Sequence, residues 1–107
     1  MKKKTKSYRI IKDEINNFIK KLHHFIIHRP DNISFERLKG RTCGFYDHET
    51  EEITIDYRKD IIPTLIHEFT HHLYPDWKEG RVEGYERKVM RFLTSVQSKN
   101  LIRLLAK

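Results

Sequence analysis

His67, Glu68 and His71 stand in the order His-Glu-x-x-His within residues 64–73. On an α-helix one turn separates the two histidines, so both imidazoles leave the same face and can share one metal ion. Glu68 projects beside them, where it can take a proton from a water on that ion. This is the chemistry of a zinc hydrolase. At about 100° per residue, Ile62, Ile66, Phe69 and Leu73 form one apolar stripe, and His67 and His71 fall on roughly the opposite side. A helix packed on that stripe turns both histidines toward a cleft.

A catalytic zinc ion takes three protein ligands and keeps one position open. No histidine follows His72, so the third ligand must be sought among the acidic residues Glu79, Glu83 and Glu86. An antiparallel return after a short turn brings these level with the motif helix. Glu86 lies close to the phase of Val82, Val89 and Leu93 and is the preferred ligand; Glu83, turned about 60° further toward the polar side, is the alternative. His72 lies about 100° around the helix from His71 and is read as a supporting or surface residue.

The elements that must hold these residues follow from period. Ile11, Ile15, Phe18, Leu22 and Phe25 or Ile26 predict a helix over residues 7–27, ended by Pro30. His23, His24 and His28 suit its C-terminal end. Ile33 and Phe35, then residues 42–46, then Ile53, Ile55 and Tyr57 alternate as strands, with turns at Gly40 and at residues 47–50. Three strands joined by short loops predict a small, mainly antiparallel sheet of neighbouring hairpins, with residues 42–46 or 53–57 at its edge. Arg37, Arg41 and Arg58 read as solvated outer-face residues. Asp60 can cap the motif helix over residues 60–74, with Pro63 in its first turn and Pro75 beyond its end. A further helix is expected over residues 78–96, on Val82, Tyr85, Val89, Leu93 and Val96, with a break at 98–100 and an apolar tail that must dock on something.

The bulk numbers bound the rest. A chain of 107 residues makes one α+β domain. Cys43 is the one cysteine, which excludes an internal disulfide, fits a reducing compartment and reads as a small buried strand residue. The net charge of +7 includes Lys2, Lys3, Lys4 and Lys6, taken as a basic, frayed tail over residues 1–6. Aromatic-basic interleaving is absent, so nucleic acid is not an expected partner. No run approaches the roughly 20 apolar residues of a membrane span, and the basic start lacks a following apolar region and cleavage site. A cytoplasmic monomer acting on a peptide or protein substrate is the expectation.

The motif followed by a glutamate-bearing helix resembles the gluzincin class of zinc metallopeptidases. With the helix, short sheet, motif helix and glutamate helix in this length, the chain is similar to the minimal archaeal gluzincins, the minigluzincins. The resemblance implies a minimal zincin-like fold, one zinc ion on His67, His71 and a glutamate, and Glu68 as general base in peptide hydrolysis. It also implies a sheet strand at the upper rim of the cleft, and a latent form in which residues 98–107 block it. In larger relatives an Asp often stands four residues after the ligand Glu; here Met90 follows Glu86 and Arg87 follows Glu83. The other class of function compatible with the motif is a non-catalytic, zinc-stabilised binding module, in which a protein side chain closes the fourth position.

Overall fold

The computed structural model describes residues 2–107, with side chains from Tyr8 onward. The first helix, α1 (Lys2–His28), buries Ile15, Phe18, Ile19, Leu22, Phe25 and Ile26. That is one continuous stripe at helical spacing. The helix begins earlier than the expected residue 7 and takes in the backbone of Lys2 to Lys6, expected as a frayed tail, whose side chains lie outside the described residues. A single 3-10 turn, Pro30–Asn32, replaces the helix where proline removes a donor.

Three strands follow: β1 (Ile33–Glu36), β2 (Gly44–Asp47) and β3 (Glu52–Asp56). The sheet is mixed, in the order β1-β3-β2. The β2–β3 pair is the antiparallel hairpin expected, with Gly44 opposite Ile55 and Tyr46 opposite Ile53. Strand β1 instead pairs with β3, in parallel, Ile33 opposite Ile53. The reason lies at the end of β3. Asp56 is fully buried and accepts from the backbone N–H of Leu38 at 3.0 Å, while Arg58 Nη2 donates to Leu38 O at 3.0 Å. These bonds hold the β1–β2 loop across the end of β3, so the chain passes the central strand before turning back. Arg58 is exposed, as expected of an outer-face residue, and also anchors that loop through Asp56 and Leu38; Tyr57, beyond the end of β3, is half exposed. Cys43, expected inside, is exposed.

The motif helix is α2 (Ile61–Leu73), which buries Ile62, Leu65, Ile66 and Phe69 against α1 and the sheet. Asp60 occupies its N-cap, but no side-chain cap bond forms. A tight corner leads to α3 (Glu79–Phe92). There Tyr74 and Trp77 stack at 4.0 Å, and Arg81 covers the other side of the corner, 4.0 Å from the Trp77 ring. Helix α3 stops short of its expected end. Thr94 accepts from Gln97 N, and Gln97 Oε1 accepts from Thr94 N, a reciprocal cap that starts α4 (Ser95–Leu105). The break expected at 98–100 lies inside α4, and the restart leaves Val96 exposed. Residues 98–107 do not cross the cleft in this structure. Leu101 is fully buried, and Gln97 Nε2 donates to Asn16 Oδ1 of α1 at 3.0 Å. None of the residues lining the cleft comes from α4. Among the described residues no helix is long and apolar enough to cross a membrane.

Candidate metal centre

The apolar stripe of α2 faces the core, so His67 and His71 emerge on the far side, 15% and 17% exposed. Their rings lie 5.0 Å apart. Across from them, the first turn of α3 brings in Glu79. One of its oxygens contacts His67 Nε2 and the other lies 3.1 Å from His71 Nε2. One nitrogen from each histidine and one oxygen of Glu79 lie within 4.8 Å of one another, so His67, His71 and Glu79 could hold a metal ion. Bonds of about 2.0 to 2.2 Å in tetrahedral geometry separate ligand atoms by about 3.3 Å, a spacing inside the 4.8 Å that bounds this group.

Glu86, expected as the third ligand, stands elsewhere. Its Oε1 is 2.8 Å from His67 Nδ1, the outer nitrogen. In that place it can accept a hydrogen bond from Nδ1–H, which orients the ring and leaves Nε2 facing the centre. Residues 79 and 86 are seven apart on α3, which leaves them only about 20° out of phase. The angle that selects Glu86 from sequence selects Glu79 equally well. The tight Tyr74–Trp77 corner decides between them, because it sets Glu79 opposite the Nε2 atoms of both histidines. Glu83 lines the same cleft and makes no ion pair or hydrogen bond with either histidine.

Glu68 is 7% exposed and has no hydrogen-bond partner among the described residues. Burial pushes its carboxyl up to about 7; His67 pulls it down, and the charges of Glu79 and Glu86 push it further up. His67 is shifted upward as well. Burial opposes that shift, but the Glu86 hydrogen bond and the charges of Glu68, Glu79 and Glu86 outweigh it. A cation placed among these carboxylates would replace the Nε2 proton of His67 as their counter-charge. The donor set therefore fits a divalent metal.

The neighbouring strand completes the cleft. Gly44 lines it on both sides of Glu68, with compartments of about 550 and 320 Å³. A Cβ at position 44 would lie 2.6 Å from Thr54 O, 2.6 Å from Thr64 Cγ2 and 3.6 Å from Glu68 Cγ. Only glycine lets β2 approach the motif helix this closely. Because β3 is central, β2 is an edge strand. Tyr46 on that strand lies 2.6 Å by its hydroxyl from His72 Nδ1. Burial lowers the His72 pKa, so its neutral ring accepts and the tyrosine donates. His72 thus ties the edge strand to α2. Tyr46 and Gly44 went unmarked in the sequence because their roles depend on strand order.

Comparison with protein-family models, with curated proteins and with solved structures finds no match to this chain.

Proposed function

We propose that this protein is a zinc-dependent peptidase of gluzincin type, with His67, His71 and Glu79 as ligands and Glu68 as general base. The observation that carries the reading is the convergence of both Nε2 atoms and the Glu79 carboxylate beside a largely buried Glu68 that has no hydrogen-bond partner among the described residues, in a cleft under a sheet edge. Two imidazoles and one carboxylate are the donors of a hydrolytic zinc site and leave a position open. Bound there, zinc would polarise the scissile carbonyl and acidify water.

The chain's own residues supply the remaining steps. The free backbone edge of β2 can pair with an extended peptide and lay its carbonyl over the centre. Glu68 accepts the proton of the attacking water and returns it to the leaving amine. Glu68 reaches the cleft from the residue next to His67, with no protein donor among the described residues occupying its carboxylate, so it is free to exchange that proton. Glu86 keeps the His67 ring in its tautomer. In purified, zinc-loaded protein, Glu68→Ala is expected to keep the metal and abolish cleavage of a mixed peptide library. Unchanged cleavage would reject the assignment. A fourth protein side chain on the ion would point instead to a zinc-stabilised binding module.

A further inference from the structure

Beyond the metal centre the larger compartment of the cleft is flanked by Arg41, on the β1–β2 loop, and Arg87, on α3. Some cations of the surface are committed, Arg29 to Glu51, Arg58 to Asp56 and Lys88 to Glu14, and none of those three lines this compartment. Among the described residues the guanidinium groups of Arg41 and Arg87 have neither an ion-pair partner nor a protein hydrogen bond. The backbone that carries Arg41 is nonetheless held in place. Lys59 Nζ donates to the carbonyls on either side of it, Gly40 O at 2.9 Å and Thr42 O at 2.8 Å. Gly40 supplies the left-handed φ of 63° that the turn needs. On α3, Gly84 leaves open the space beside the Arg87 guanidinium, whose Nη2 lies 3.8 Å from where a Cβ would sit.

We infer that the compartment between Arg41 and Arg87 recognises a carboxylate of the substrate, either an acidic side chain or a free C-terminus, next to the scissile bond. This rests on the peptidase reading. A guanidinium presents parallel N–H donors that match both oxygens of a carboxylate. Two guanidiniums lining one compartment, one from a clamped loop and one from a helix, give a carboxylate that enters it cationic donors from two separate elements. Asp60 and Glu83 line the same compartment. With Glu79 on the metal, Glu86 on His67 and Glu68 moving a proton, these two are the carboxylates that a basic ligand would seek instead. A peptide running antiparallel to β2 would put the residue on the C-terminal side of the scissile bond at the Arg41 end, since Arg41 precedes Gly44.

The test is binding, measured by fluorescence anisotropy on zinc-loaded Glu68→Gln protein, so that no peptide turns over. Four peptides share one sequence: one carries Glu at the tested position with an amidated end, one Gln, one Lys, and one ends there with a free carboxylate. The Glu peptide, the free-carboxylate peptide or both are expected to bind about tenfold tighter than the Gln amide, and which of them does identifies the source of the carboxylate. In Arg41→Gln/Arg87→Gln that ratio is expected to collapse toward one. Equal binding of Glu and Gln, tightest binding of Lys, no binding of any peptide, or a ratio that survives in the double variant would overturn the inference. A carboxylate preference without cleavage by the unsubstituted protein supports the subsite and sinks the peptidase reading. Cleavage without the preference does the reverse.

Discussion

Asp56 and Glu68 are both buried carboxylates, 0% and 7% exposed, and their surroundings drive them in opposite directions. Asp56 Oδ1 accepts from Arg58 N and Nε at 3.0 Å, and its Oδ2 accepts from Arg58 Nη2 at 2.7 Å and Leu38 N at 3.0 Å. The Arg58 hydrogen bonds, against the cost of burial, hold its carboxyl well below the usual range. Glu68 has no such donors and sits near two further glutamates, so burial pushes it up to about 7. A buried acid whose acceptors are filled builds the fold. One left unfilled beside two imidazoles is available for chemistry.

The largest effect should separate the two residues by function. Glu68→Gln is expected to lower kcat/KM by about 10² to 10⁴ while leaving the thermal midpoint unchanged or raised, as followed by peptide cleavage and calorimetry. A variant that lost activity only because it unfolded would erase the contrast. Next, Gly44→Ala forces β2 away from Thr64 and Glu68. Displacement of the substrate edge by about 1 Å should cost about 100-fold in cleavage with zinc stoichiometry, measured by atomic absorption, preserved. Loss of zinc in that variant would mean that β2 supports the metal site itself.

Asp56→Asn should show the reverse pattern to Glu68→Gln: a clearly lower melting temperature, because donors around a buried acceptor lose their charge-assisted partner, and little change in kcat for protein that stays folded. The smallest and most discriminating comparison is the pH dependence of stability without metal. Asp56 is depressed in the fold, so its contribution is fully present above its ordinary 3.8 and is lost as pH falls below that toward the folded value. Glu68 is raised from 4.5 to about 7, so its contribution is lost as pH rises across that interval, by up to about 3 kcal/mol. His67, also raised, adds a loss of the same sign above 6.5. Urea titrations across pH should therefore lose the acid limb in Asp56→Asn and the part of the fall beginning near 4.5 in Glu68→Gln.

What the sequence discloses follows the range of each interaction. The motif and the stripe of Ile62, Ile66 and Phe69 are local in one helix, so their phase is readable before any fold is known. The α1 stripe and the alternation of Ile53 and Ile55 are readable for the same reason. The parallel β1–β3 pairing is not, because it depends on Asp56 reaching Leu38 across 18 positions of chain. Which of Glu79 and Glu86 faces both histidines is hidden by their shared helical phase and depends on the Tyr74–Trp77 corner. Thr94 with Gln97 was a legible helix start that the apolar spacing through Val96 obscured. Arg41 reads as a solvated residue and is exposed; that it lines the cleft, on a loop whose backbone Lys59 clamps, depends on contacts 17 and 19 positions away.

Anomalous diffraction at the zinc edge from zinc-loaded crystals tests the central claim most directly. The expected result is one ion bonded to Nε2 of His67, Nε2 of His71 and the Glu79 carboxylate, with the fourth position open to solvent and Glu86 still on His67 Nδ1. Two imidazoles free of metal and turned apart in excess zinc would contradict it.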